Sequence, residues 1–110
     1  MKVELLYFAG CPNYEALLPH LRRILQREGA ETGVELRRVE TPEQAARLEF
    51  LGSPTVRVGG RDVEATAATR RDFGLKCRLY RTSNGLQGAP PDEWILAAIR
   101  AGQDKGERPC

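Results

Sequence analysis

The chain has 110 residues, 41% of them hydrophobic and 29% charged, with a net charge of +2. That length suits one domain, which on folding buries roughly two-thirds of the surface of its unfolded chain, and it leaves no room for two. So small and evenly spread a charge gives no nucleic-acid surface by itself, and three cysteines do not make a disulfide scaffold.

Residues 2–8 read as a strand. Apolar residues fall on both parities (Val3, Leu5, Tyr7 and Leu6, Phe8), which predicts burial on both faces. The run is too short for a membrane span, it lacks the cleavage site of a secretory leader, and it ends at Gly10-Cys11-Pro12. From Asn13 the period becomes helical, with Leu17, Leu18, Leu21, Ile24 and Leu25 on one face and Gly29 as the stop. Pro19 lies inside that pattern and predicts a kink, because it removes a backbone donor and crowds the carbonyl of Glu15.

A second, half-exposed strand follows at 33–39. Thr41-Pro42-Glu43-Gln44 is a helix start in which Thr41 caps, Pro42 takes the first helical position and Gln44 completes a capping box. That helix is expected over 42–50, ended by Gly52. Residues 54–58 and 61–64, joined by Gly59-Gly60, read as a hairpin. The stretch 65–76 is polar and either irregular or one helical turn, Cys77–Arg81 is an extended segment, and Thr82–Gly85 is turn-rich. The last helix starts near Pro91, packs Trp94, Ile95, Ala98 and Ile99, and is expected to stop at Gly102. The domain is therefore read as 1–102, with 103–110 a flexible charged tail carrying Cys110 as an incidental surface cysteine.

The order strand, helix, strand, helix, hairpin, helix predicts an α/β fold of βαβαββα order. The opening crossover gives parallel pairing, and the hairpin adds antiparallel strands. The result is a mixed four-stranded sheet with helices on both faces, plus an irregular insertion before the last helix.

Cys11 stands where the first strand hands over to the first helix. Unpaired N–H groups and the positive end of the helix dipole favour a thiolate there, and the thiolate is the nucleophilic form. An inert, buried cysteine is the alternative at such a junction. His20, the only histidine, has no partner triad and reads as a surface residue.

The segment Gly10-Cys11-Pro12-Asn13-Tyr14 resembles the active site of thioredoxin-like proteins, with Tyr14 where their second cysteine would be. Pro19, eight residues beyond Cys11, matches their helix proline. Gly52-Ser53-Pro54-Thr55 resembles their cis-proline segment. The resemblance covers residues 1–64 and the closing helix, and it implies a thioredoxin-like fold, a cis Ser53–Pro54 bond and a partner site formed by Pro12, Tyr14, Ser53 and Pro54. Tyr14 would either hydrogen-bond the thiolate or shield it.

With no cysteine at position 14, Cys11 needs another thiol to release a mixed disulfide. Cys77 could fold back across the active-site end of the sheet and serve as the resolving cysteine. Alternatively it is a core residue of an extended segment, sharing a parity with Leu79. Arg78 and Arg81 either hold an anion beside the thiol or are solvated strand residues.

The leading expectation is thiol–disulfide exchange with a protein or small-molecule partner, in the cytoplasm, with no cofactor, nucleic acid or membrane. Whether the protein is an enzyme, and its oligomeric state, stay open. One alternative is a soft-metal binder holding mercury, copper or an arsenical between Cys11 and Cys77, since thiolates select soft ions. Another is a non-catalytic interaction domain on the same fold.

Overall fold

The computed structural model describes residues 2–30 and 33–107. Strand β1 (Val3–Tyr7) leads to helix α1 (Asn13–Arg27), strand β2 (Val34–Arg38) and helix α2 (Pro42–Arg47). The hairpin strands β3 (Thr55–Val58) and β4 (Arg61–Asp62) follow, then a 3-10 turn over Ala65–Thr69. A second hairpin, β5 (Tyr80–Thr82) and β6 (Gly85–Gln87), precedes helix α3 (Asp92–Glu107).

The sheet order is β2-β1-β3-β4. β1 runs parallel to β2, with Leu5 opposite Leu36, and antiparallel to β3, with Leu5 opposite Val56. The protein is thus a mixed α/β fold with a four-stranded mixed sheet. Alternation along β1 decides its two faces. Val3 and Leu5 join Leu17, Leu21, Ile24, Val56, Ile95 and Ile99 in the core under α1 and α3. Leu6 faces the other way, into a cluster with Val39, Ala45 and Phe50 under α2. On that face Glu4 is also buried, and Arg37 Nη1 donates to its Oε2 at 3.0 Å.

Helix α1 continues unbroken through Pro19. Its apolar stripe fills the core as the period predicts, and His20 Nε2 lies 2.7 Å from Asp92 Oδ1, linking α1 to α3. The capping box of α2 is present: the Thr41 hydroxyl accepts from Gln44 N–H, and Gln44 Oε1 accepts from Thr41 N–H. Gly59 and Gly60 both take positive φ (61° and 82°), the requirement of a two-residue hairpin turn that follows the strand twist.

Four expectations need correction. Helix α2 ends at Arg47, not Phe50, because Glu49 adopts a left-handed φ of 55°. Strand β4 covers only Arg61–Asp62 of the 61–64 expected. Thr82–Gly85 is the turn of a second hairpin, in which Arg81 pairs with Leu86, an arrangement the short polar segment did not signal. Helix α3 passes through Gly102 to Glu107, so it does not stop at Gly102 as expected. A single glycine costs a helix only about 0.5–1 kcal/mol, too little to end it. Cys110 lies outside the described residues.

Candidate active site

After β1 the chain turns through Ala9 and Gly10, and Cys11 N–H donates to the Phe8 carbonyl at 3.1 Å. Pro12 is the N-cap of α1, and its carbonyl accepts from Glu15 N–H at 3.0 Å. This places Cys11 just ahead of the first helical turn. The Cys11 sulfur lies 3.5 Å from the Ser53 carbonyl oxygen, and the residue is 0% exposed. Two influences meet at that sulfur. They are the positive end of the α1 dipole and the oxygen of the Ser53 carbonyl.

Cys77, 66 residues further along the chain, is disulfide-bonded to Cys11, with the Cα atoms 5.6 Å apart. Its approach is fixed by a strap, residues 74–80, laid beside Gly52–Thr55. Gly74 N–H donates to Phe50 O at 3.0 Å, and Leu75 packs on the cluster under α2. Ser53 N–H donates to Lys76 O at 2.8 Å, and Arg78 N–H donates to Ser53 O at 2.8 Å, so that Ser53 and Cys77 form an isolated parallel bridge. Close approach is possible because residue 52 is glycine. At φ +123°, a Cβ there would stand 2.9 Å from Lys76 O and 3.0 Å from Arg78 Cβ.

Along the strap burial alternates: Cys77, Leu79 and Arg81 face outward, Arg78 and Tyr80 inward. The parity of Cys77 and Leu79 is therefore the solvent side, which removes the reading of Cys77 as a core residue. Leu79 is 58% exposed.

Arg78 is neither a solvated strand residue nor open to an anion. It is 1% exposed. Its Nη1 donates to Thr55 Oγ1 (3.0 Å) and Asp62 Oδ2 (2.7 Å), and its Nη2 donates to Asp62 Oδ1 (3.1 Å) and Glu64 Oε1 (2.7 Å). The guanidinium also lies 4.4 Å from the Tyr80 ring centre. Nε is buried without a hydrogen-bond partner. Burial lowers the pKa of Arg78, but the Asp62, Tyr80 and Glu64 contacts outweigh it and hold the group firmly charged. The Tyr80 hydroxyl donates to the Pro54 carbonyl at 2.5 Å, and Thr55 Oγ1 donates to Gly52 O at 2.6 Å.

The Ser53–Pro54 bond is cis, as the resemblance implies. Both residues are buried, and the chain's own strap occupies the Ser53 N–H and C=O and the Pro54 C=O. The Ser53 hydroxyl is buried without a partner. Pro12 is exposed. Tyr14 stacks on Tyr7, ring centres 4.2 Å apart, so its ring is held by an aromatic neighbour from β1. Of the seven candidate site residues, the fold brings Cys11, Cys77, Ser53 and Pro54 together. It turns Arg78 into a strap anchor.

Sequence reasoning missed the partners of that anchor, Asp62, Glu64, Thr55 and Tyr80. The one available signal was the pair Asp62 and Glu64, two residues apart in the expected 61–64 strand and hence on one face of it. A groove of about 810 Å³ runs between β4, the 3-10 turn and α3, lined in part by Val63, Ala65 and Trp94, and it contains neither cysteine. Among the described residues no cluster of three or more metal-ligating side chains occurs, and no helix is long and apolar enough to cross a membrane.

Compared with protein families, with curated proteins and with solved structures, the chain matches none. The class stated here therefore rests on its own geometry: a mixed α/β protein with a strand–helix cysteine disulfide-bonded to a cysteine on a docked strap.

Proposed function

We propose that this is a thiol–disulfide exchange protein of thioredoxin-like fold, working through the Cys11–Cys77 pair. The observation that carries the reading is the pairing itself. Two cysteines 66 residues apart meet at a Cα separation of 5.6 Å, with one sulfur ahead of a helix start and the other on an outward-facing position. A pair serving stability alone gains nothing from placing one cysteine on the exposed row of the strap, whereas exchange requires access. The strand order, the proline at position 19 and the Ser53–Pro54 segment support the thioredoxin-like part of the reading.

The test is equilibration with buffers of reduced and oxidised glutathione, followed by counting free thiols. Exchange predicts a reversible two-electron transition that Cys11→Ser and Cys77→Ser each abolish. A disulfide that no glutathione ratio reduces in the folded protein would sink the reading.

The same closeness of two thiols also favours a second reading, two-coordinate capture of a soft ion by the reduced pair. Stoichiometric binding of mercury(II) that blocks reoxidation, without any exchange with glutathione, is the result that would prefer it.

A further inference from the structure

Thiol–disulfide exchange is an in-line displacement: the attacking sulfur approaches one sulfur of the disulfide from the side opposite the other, which leaves as a thiolate. Access therefore decides which sulfur bonds to the partner. Cys11 is 0% exposed, with Ser53 O beside its sulfur, so an outside thiolate has no line of approach to it. Cys77 is exposed, on the outward row of the strap that Leu79 continues.

The strap has anchors independent of the disulfide, so reduction is expected to leave this arrangement standing. They are the two hydrogen bonds to Ser53, the Gly74–Phe50 hydrogen bond, the Arg78 guanidinium among Thr55, Asp62 and Glu64, and the Tyr80 hydroxyl on Pro54 O. With those anchors holding, Cys11 is expected to stay covered and Cys77 to stay beside it when the pair is reduced.

Resting on the exchange reading above, we infer that Cys77 is the cysteine that bonds to the partner and Cys11 is the one that resolves it. This reverses the roles expected from the strand–helix position of Cys11. In the reducing direction the Cys77 thiolate attacks a disulfide R–S–S–R. An S–S bond to Cys77 forms, and one R–S⁻ leaves. The Cys11 thiolate then attacks Cys77 Sγ, closing the internal disulfide and expelling the second R–S⁻. Two electrons pass from the two cysteines to the partner, and the two cysteine protons go to solvent or to the two departing thiolates. In the opposite direction a partner thiolate attacks Cys77 Sγ and Cys11 leaves as thiolate. A second partner thiolate then attacks the partner sulfur of the mixed disulfide, giving R–S–S–R and free Cys77.

The experiment uses the full chain with Cys110→Ser, so that only these two thiols react, alone and with Cys11→Ser or Cys77→Ser added. Each reduced protein is mixed with hydroxyethyl disulfide, release of mercaptoethanol is followed, and adducts are located by peptide mass mapping. Circular dichroism confirms that each variant is folded. The expected result is an adduct on Cys77 in the Cys11→Ser protein, formed at least about tenfold faster than the adduct on Cys11 in the Cys77→Ser protein. The two-cysteine protein releases two equivalents and ends disulfide-bonded. Equal or reversed single-cysteine rates, with two equivalents still released, overturn the role assignment and leave exchange standing. One equivalent released and a lasting adduct on Cys77 overturns the exchange reading instead, and with it the resolving role of Cys11.

Discussion

Arg78 donates to both carboxylate oxygens of Asp62, at 2.7 and 3.1 Å, from a side chain withdrawn from solvent. The contact joins the strap to the end of the β3–β4 hairpin, and Glu64 completes it from the same side. Removing the cation leaves the largely buried Asp62 without a counter-charge and leaves Glu64 with only Arg70 Nη1, at 3.2 Å. Arg78→Met is expected to cost about 3–5 kcal/mol in urea unfolding, because breaking a buried pair strands its partner. Adding Asp62→Asn and Glu64→Gln to that variant should recover most of the loss. No recovery would mean that the guanidinium's packing on Tyr80, and not its charge, holds the strap.

The disulfide closes a long loop. Restricting the unfolded chain over 66 residues corresponds to roughly 4 kcal/mol on a chain-entropy treatment. Urea unfolding of the oxidised and fully reduced protein should therefore differ by several kcal/mol while both begin from the same folded state. A reduced protein with lost near-ultraviolet dichroism would show that the polar anchors alone do not keep the strap docked.

Gly52 separates two effects that glycine substitutions usually mix. At Gly29 (φ +68°) a Cβ meets open space, so Gly29→Ala carries only the left-handed conformational cost of about 1 kcal/mol. At Gly52 a Cβ also meets backbone of the strap at 2.9 Å. Gly52→Ala should cost more than Gly29→Ala and should selectively speed hydrogen exchange at the Ser53 and Arg78 amides. Alkylation of reduced Cys11 should rise with it, as the cover lifts. Equal behaviour of the two variants would detach Gly52 from strap docking.

The Tyr80 phenol has its pKa raised far above the usual tyrosine value, chiefly by burial and further by the charges of Asp62 and Glu64, with Arg78 opposing. A group whose folded pKa is raised holds its proton more tightly when folded. Its contribution to stability is complete below the unfolded value near 10 and is lost as pH climbs above it. The ultraviolet titration of the three tyrosines should show one that ionises only together with unfolding, and Tyr80→Phe should remove that step. Normal titration of all three in the folded protein would contradict the buried placement.

The helix periods, the capping box at Thr41 and the Gly59-Gly60 turn were legible because each is a local rule, satisfied by neighbouring residues. The placement of Cys11 between β1 and α1 was legible for the same reason. The pairing of Cys77 with Cys11 was reachable only as one of two open readings, since it depends on how 65–90 folds back, and no short-range pattern encodes that. The inward placement of Arg78 was hidden for a definite reason. Alternation was visible, but an arginine on the inward side reads as solvent-facing unless its counter-charges are known. Those sit at Asp62 and Glu64, 16 and 14 residues earlier.

The bridge between Ser53 and residues 76–78 has one more consequence. A peptide strand arriving from solution and seeking the Ser53 N–H and C=O competes with a rival that belongs to the same molecule. A tethered rival acts at an effective concentration on the order of millimolar. Free peptides at micromolar levels lose that contest, so recognition of a partner through main-chain pairing at Ser53 is closed while the tether holds. What the strap leaves outward beside Ser53 is Cys77 and, two residues on, Leu79.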